Sequence, residues 1–430
     1  METAVLVLVA AVLLIIGVPV GISIGMGILA VVMVFDLMQV QFLAQAMYSG
    51  FDSLPLTAIP CFMLAGAVME TGGLSKRLIN VANKMVGNTT GALGTVTVLA
   101  CMFFGAISGS GPATVAAIGG IMIPFMIKAK YQDTYASALT AVAGGVGGII
   151  IPPSIPLVIY GVATNTSIGD LFLAGIFPAL MIGVFLVLTN IFLSKKKGYT
   201  GNEGAFDGKE LLKAIWDAKW ALIMPVIILG GIYGGVFTPT EAAVVSIVYG
   251  LIIGIYVYKE LTWKRVLELL SFNTSFVGGI MLTFAPAAAM GAILALLGIP
   301  NALTNFLFSI SDNKIVILLI VNIFLVIMGL AIDTTSANII FSPILLMALR
   351  PFGIDPVHLG IIITVNLAIG FCTPPVCANI FVVSGMTRIP VDKIIPKAVP
   401  FLIVMFIAML IITFVPAIPM GLLWLMGRGY

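Results

Sequence analysis

Residues 144–161 read GGVGGIIIPPSIPLVIYG, and residues 368–382 read AIGFCTPPVCANIFV. Each is an apolar run broken at its middle by a proline pair, Pro152–Pro153 (with Pro156 just behind) and Pro374–Pro375. Proline has no amide hydrogen and clashes with the preceding turn, so a helix through either run is interrupted there. The backbone groups freed by such a break survive inside a bilayer only where protein or an aqueous cavity satisfies them. The two runs predict two discontinuous membrane helices, about 135–164 and about 357–386, with reactive backbone at mid-depth.

The composition supports a membrane setting. Of 430 residues, 61% are apolar, against about 45–50% in a soluble protein. Charged residues are 9%, where roughly 25% is usual, so a water-soluble globule could not cover its surface. This excludes a soluble enzyme and a nucleic-acid binder. The apolar runs are continuous over 17 or more residues, which disfavours a β-barrel alternating at period two. The net charge of +3 is spread over loops and points to no polyanionic partner. Cys61, Cys101, Cys372 and Cys377 lie in apolar stretches and form no disulfide framework; with the single His358 they make no zinc pattern. No GxxxxGK[ST] sequence occurs, so no ATP is expected. No Asp pair, Ser–Lys dyad or HExxH supports an intramembrane protease, and an enzyme is not expected. The N-terminus lacks the basic region of a cleavable signal and reads as a retained first helix.

Apolar helical segments fall at about 3–17, 21–35, 55–70, 135–164, 168–193, 220–236, 241–258, 274–297, 357–386 and 397–418. Two further regions, about 88–127 and about 315–349, carry small polar centres, ISGSGPAT at 107–114 and IDTTSAN at 332–338. Forty residues of helix would reach about 60 Å, twice a bilayer core. Each region therefore reads as a re-entrant hairpin with its tip in the membrane, the alternative being two ordinary spans joined by a loop. Pro19 and Pro239, Pro124 and Pro343, and Pro152 and Pro374 lie 220, 219 and 222 residues apart. The order of turn, span, hairpin and broken helix thus occurs twice, in an internal duplication over 1–218 and 219–430.

Basic residues set the orientation. Lys76, Arg77, Lys84, Lys128 and Lys130 flank the first hairpin, and further groups sit at 195–197, 209–219, 259–265 and 388–397. The second hairpin is flanked only by Lys314 and Arg350, balanced by Asp312 and Asp355. The positive-inside rule places the first set in the cytoplasm, the second outside, and the N-terminus in the periplasm. The halves are then inverted. The fold class expected is an all-α polytopic membrane protein with inverted repeats, two re-entrant hairpins and two discontinuous helices. The segments 74–87 and 260–272 are amphipathic with basic faces, and read as interfacial arms of a rigid frame or contacts to a partner.

Such a fold places its site at the bilayer midplane. The candidates are Ser108, Gly109, Ser110 and Gly111; Pro152, Pro153 and Ser154; Asp333, Thr334, Thr335 and Ser336; and Thr373, Pro374 and Pro375, with Asn379 just beyond. Hydroxyls and freed carbonyls are hard ligands suited to Na⁺, and half-helix N-termini suit a carboxylate. Asp333 is the acid deepest in an apolar context, where an ionisable group costs at least about 2.5 kcal/mol. It reads as a cation ligand or substrate contact, or as the cap of the following half-helix. Glu241 after Thr238 reads as a helix-capping acid. Glu70 and Asp170 read as interfacial, His358 as an interfacial residue, and Asn165 and Thr166 as possible lining of an access path.

The runs GAISGSGPATVAAIGGIMIP, GGIIIPPSIPLVIYGVATNTSIGDLFLAGIFPAL, GVFTPTEAA and GFCTPPVCANIFV together resemble the large membrane subunit of tripartite ATP-independent periplasmic (TRAP) transporters, over nearly the whole chain. The resemblance implies a sodium-driven importer of organic anions such as C4-dicarboxylates or sialic acids, in a bacterial inner membrane. It further implies an elevator-type ion-transporter fold, in which hairpins and broken helices form a transport domain that slides against a scaffold of the remaining helices. It also implies a small four-helix membrane subunit (Q type), expected as a separate chain, and a periplasmic substrate-binding protein (P type). Carried over, Ser108, Ser110 and Ser154 would serve the first sodium site and the substrate carboxylate. Asp333, Thr335, Ser336 and Thr373 would serve the second sodium site and the substrate. Gly109, Pro152, Thr334 and Pro374 are further candidate Na⁺ ligands. DTTSAN stands where a proline often follows the acidic tip, which leaves open which hydroxyl is a ligand there. The rival readings are a stand-alone sodium–dicarboxylate or citrate carrier and an ion channel.

Overall fold

The computed structural model describes residues 1–87, 89–199, 207–375 and 377–428, and no strand occurs among them. The first half contains α1 (Glu2–Ile15), α2 (Val20–Phe35), α3 (Val40–Phe51), α4 (Ala58–Thr71), α5 (Leu74–Val86), α6 (Ala92–Ser108), α7 (Gly111–Lys128), α8 (Asp133–Ile150), α9 (Ile155–Thr164) and α10 (Ile168–Lys197). The second contains α11 (Gly208–Asp217), α12 (Lys219–Tyr233), α13 (Pro239–Ile252), α14 (Trp263–Leu296), α15 (Ile299–Ile310), α16 (Lys314–Ala331), α17 (Thr334–Leu349), α18 (Pro356–Phe371), α19 (Ala378–Thr387), α20 (Val391–Phe414) and α21 (Ala417–Leu425).

Both tips and both breaks fall where the sequence puts them. Helices α6 and α7 meet at Gly109, and α16 and α17 meet at Ile332–Asp333. Helix α8 ends at Ile150 and α9 resumes at Ile155 across the prolines; α18 ends at Phe371 and α19 resumes at Ala378. Both Pro–Pro bonds are cis.

The duplication is also visible in packing. A Cβ on Gly105 would lie 2.7 Å from the Cα of Gly148, and one on Gly370 would lie 2.7 Å from the Cα of Gly329. Each hairpin's entering helix therefore crosses its broken helix backbone to backbone, at positions about 220 residues apart. Small residues allow such crossings, which bind helices together in lipid without a hydrophobic driving force.

Helix α10 shows the inversion. Its 30 residues extend about 45 Å. Near its C-terminal end, Asn190 Nδ2 donates to Gly91 O (2.9 Å) at the base of the first hairpin. At its N-terminal end, Thr164–Ser167 share a cavity with Arg350 and Pro356 at the base of the second. The hairpins enter from opposite ends of the same helix.

Several elements differ from the sequence expectations. Segments 260–272 and 274–297 form one 34-residue helix, α14, which carries Pro286 internally. Its Asn273 is satisfied by donating to Pro60 O at 3.2 Å. Helices α3, α15 and α21 lie outside the segments read as spans, and the hydrophilic stretch 194–219 contains α11, with 200–206 outside the described residues. His358, in the first turn of α18, is 2% exposed, with its Nε2 3.0 Å from Ile412 O near the end of α20. Glu241 does form a capping box with Thr238.

The basic face of α5 is tied within the chain. Arg77 pairs with Glu260 (2.9 Å), lies 3.5 Å over the Tyr258 ring and approaches Asp217 at 3.9 Å, while Lys84 pairs with Glu210. A large apolar core joins hairpins, broken helices, α10 and α20. A separate cluster built on Leu6, Ile24, Ile28, Val31 and Ile293 joins α1, α2, α3 and α14.

Candidate functional site

The first tip is folded onto the first break. Gly109 has φ +60°, a left-handed conformation that costs other residues about 1–2 kcal/mol, and it closes α6 by donating to Gly105 O at 2.9 Å. Its own carbonyl accepts the Ile155 amide at 3.3 Å, the first free N–H of α9. A Cβ at Gly109 would stand 2.6 Å from Pro153 O. Ser108 Oγ lies 2.9 Å from Thr114 Oγ1, which donates to Ser110 O at 2.8 Å. Ser108, Gly109, Pro152 and Ser154 are buried, and Ser110 is partly exposed.

Ser154 has no exposed surface. Its hydroxyl donates to Ile149 O and accepts the Leu157 amide at 3.4 Å, capping α9. With its one proton committed, only a lone pair remains, which suits a cation better than a carboxylate. Thr373 is similar, donating to Ile369 O at 2.7 Å.

At the second tip, Asp333 accepts the Ser336 amide at 3.0 Å through Oδ2 and so caps α17. Its other carboxylate oxygen makes no hydrogen bond among the described residues, so capping and ligation are compatible. Thr334 and Ser336 are buried; Asp333, Thr335, Thr373 and Pro374 are half-buried.

The two halves meet through these segments. Asn338 Nδ2, one turn past the second tip, donates to Pro156 O at 3.4 Å, joining that hairpin to the first break. Cys372 Sγ lies 3.9 Å from Ala141 O, and a Cβ on Gly145 would meet Cys372 Sγ and Asn379 Nδ2, so the second break rests on α8 within a turn of the first tip. Asn379 Oδ1 is buried without a hydrogen-bond partner, one more neutral oxygen at that break. Among the described residues no cluster of three His, Cys, Asp or Glu is available to a metal. The donors gathered here are carbonyls, hydroxyls, amides and one carboxylate, a hard oxygen set of the kind that takes Na⁺ and not a transition metal.

Sequence reasoning missed a set of buried amides that hold the hairpins to their neighbours. Asn190 on α10 bonds Gly91 O, Thr95 Oγ1 (3.1 Å) and the Tyr135 hydroxyl (2.9 Å). In the second half Asn366 donates to Asn322 Oδ1 (2.7 Å), and Asn322 donates to Thr413 Oγ1 (3.2 Å). Their signal is a lone amide inside an apolar membrane helix.

Residues 7–418 match the family described as "Tripartite ATP-independent periplasmic transporter, DctM component". The chain is 42% identical to the isethionate TRAP transporter permease protein DctMQ of Oleidesulfovibrio alaskensis over 95% of its own length, but spans only 64% of that protein. It is 38% identical to the sialic acid TRAP transporter large permease protein SiaM of Vibrio cholerae, covering 94% of each chain. With the C4-dicarboxylate TRAP transporter large permease protein DctM of Rhodobacter capsulatus it shares 36% identity over 96% of this chain and 97% of that one. In fold it is similar to the crystal structure of the YdaH transporter of Alcanivorax borkumensis, with TM-score 0.63 at 14% identity, covering 90% of this chain and 89% of that one.

Proposed function

The chain belongs to the DctM-component family of tripartite ATP-independent periplasmic transporters, and on that premise we propose that it is the large permease subunit of a sodium-coupled importer of a small organic carboxylate. It sits in a bacterial inner membrane with its N-terminus in the periplasm. It works beside a small membrane subunit and receives cargo from a periplasmic binding protein. The cargo class follows the relatives, whose names specify isethionate, C4-dicarboxylate and sialic acid.

The observation that carries this reading is the bond between the first tip and the first break, Ile155 N–H to Gly109 O, beside the Asn338–Pro156 link from the other half. Two inverted halves thereby bring uncommitted oxygens together with few fixed charges. A carboxylate entering such a site needs positive charge from elsewhere, and co-transported Na⁺ supplies it. Sodium is held by Ser108, Gly109, Ser110, Pro152 and Ser154 on one side, and by Asp333, Thr334, Ser336, Thr373 and Pro374 on the other. Ser110, Asp333 and Thr335 adjoin the carboxylate. Ser154 and Thr373, placed in the sequence analysis in both roles, serve the ion only, and so does Ser108, whose proton goes to Thr114 because that of Thr114 goes to Ser110 O. The separate apolar cluster of α1, α2, α3 and α14 supports a scaffold against which hairpins and broken helices slide as an elevator.

The test is uptake into proteoliposomes containing this chain, the small subunit and the binding protein, with a panel of carboxylates and with or without an inward sodium gradient. Uptake that needs all three proteins and the gradient supports the proposal. Equal uptake by this chain alone identifies a stand-alone carrier, and continuous single-channel current identifies a channel.

A further inference from the structure

Away from the tips, a cavity of about 310 Å³ opens among the end of α9, the start of α10, the end of α17 and the start of α18. That is the lower end of the size range of small-molecule sites. Its lining includes Thr164, Asn165, Thr166, Ser167, Met347 and Arg350. Under the orientation proposed above this is the periplasmic rim, on which the inference rests.

The basic side chains of that rim are Lys314, Arg350 and Arg428. Lys314 donates to Gly353 O at 2.8 Å, and Arg428 lies 3.5 Å from Asp170. The Arg350 guanidinium has no hydrogen bond or ion pair among the described residues, and it lines the cavity. The nearest acid in sequence, Asp355, is turned to its own helix, its Oδ1 accepting the amides of Val357 (2.7 Å) and His358 (3.1 Å).

Two more donors in the lining are free. Ser167 Oγ accepts the Asp170 amide at 3.3 Å and keeps its proton uncommitted. The Asn165 side chain, displayed by a left-handed residue (φ +53°) at the end of α9, makes no hydrogen bond among the described residues. By contrast the Thr164 and Thr166 hydroxyls are occupied with each other (2.8 Å) and with Tyr160 O (2.6 Å). The residues that carry a guanidinium, an amide N–H₂ and a hydroxyl thus line one concave space, and none of the three groups is paired with an anion among the described residues. Guanidinium with neutral donors is the chemistry that recognises a carboxylate.

We infer that this cavity is an outer reception site for a small carboxylate, which Arg350, Asn165 and Ser167 hold before it moves to the midplane. The site is distinct from the tip region: it uses a fixed cation where the tips use none, so it captures the anion without sodium.

The experiment places a reporter on the rim. Met347 lines the cavity and is 42% exposed, whereas Cys101, Cys372 and Cys377 are buried and Cys61 is half-buried. Met347→Cys is labelled in sealed vesicles with a membrane-impermeant maleimide, the unsubstituted protein serving as blank. The probes are succinate and its neutral analogue succinamide, in sodium-free buffer. Expected is rapid labelling from the outer face, slowed by succinate and not by succinamide. Protection should be about tenfold weaker in succinate concentration with Arg350→Gln, and largely retained with Arg350→Lys. Outer-face labelling that succinate does not slow, or slows equally in Arg350→Gln, overturns the site and leaves the proposed orientation standing. Labelling confined to inside-out vesicles overturns the orientation, and the reception site with it.

Discussion

Gly109→Ala separates a tip that must seal against the first break from one that merely lies near it. The new Cβ would be 2.6 Å from Pro153 O, where ordinary contact begins at 3.4 Å, so tip and break must part by about 0.8 Å. The Ile155–Gly109 bond, already 3.3 Å, then opens past hydrogen-bonding range. The left-handed conformation costs alanine about 1–2 kcal/mol. The lost bond adds about 0.5–1.5 kcal/mol. The strain is shared by any left-handed alanine, so the part specific to the tip is the lost bond, which corresponds to about a 2- to 12-fold loss in sodium affinity.

Gly198→Ala is the control. Gly198 is also left-handed (φ +71°), but a Cβ there meets nothing within 4 Å, so it carries the conformational strain without the overlap. The assay is the sodium dependence of carboxylate uptake in the three-component proteoliposomes, with thermal midpoints of both variants. Gly109→Ala should lose sodium affinity well beyond Gly198→Ala at similar stability. Unchanged sodium affinity in Gly109→Ala would refute the idea that this contact shapes an ion site.

Asp333→Asn keeps a side-chain oxygen able to cap α17 while removing the charge, whereas Asp333→Ala removes both. Sodium-coupled uptake should be lost in both, with thermal stability lower by about 1 kcal/mol only in the alanine variant; full uptake in Asp333→Asn would reduce the residue to a cap. Asn190→Ala deletes four buried bonds, each worth about 0.6 kcal/mol on average in a membrane protein, and should lower the thermal midpoint in nanodiscs, an unchanged midpoint arguing against the network. The Glu260 carboxyl is held below its usual 4.5, first by the hydrogen bond from Arg77. Its contribution to stability is therefore complete above that value and fades as pH falls through the depressed one. Glu260→Gln should flatten the acid limb of a melting-temperature profile, and an identical limb in the variant would exclude the pair as its source.

Much of the site was legible because proline and glycine write backbone constraints into the sequence. Pro152–Pro153 and Pro374–Pro375 located the breaks, and SGSG and DTTS located the tips, within three residues of where α6, α8, α16 and α18 stop. What was not legible depends on partners distant in sequence. Helix α14 runs unbroken past a polar stretch, and its Asn273 amide donates to Pro60 O, more than two hundred residues earlier. The burial of His358 was not readable either, because it depends on Ile412 O of α20. Ser154 was readable as a polar group at a break, but its proton's commitment to Ile149 O was not, and that commitment decides between cation and carboxylate.

The cross-packing of the halves explains why neither could work alone. The return helix of the second hairpin, α17, lies on α9, and that of the first, α7, lies on α19, so each hairpin covers the far half of the other repeat's broken helix. Asn338 reaches Pro156 O in one direction; in the other, a Cβ on Gly119 would contact the methyl group of Met386. Helices α8 and α18 also pack on one another, which brings the two broken helices together. An unpaired carbonyl in hydrocarbon is costly, and a cation is one of the few ligands that satisfies several carbonyls at once. Moving either tip would therefore disturb donors belonging to both repeats.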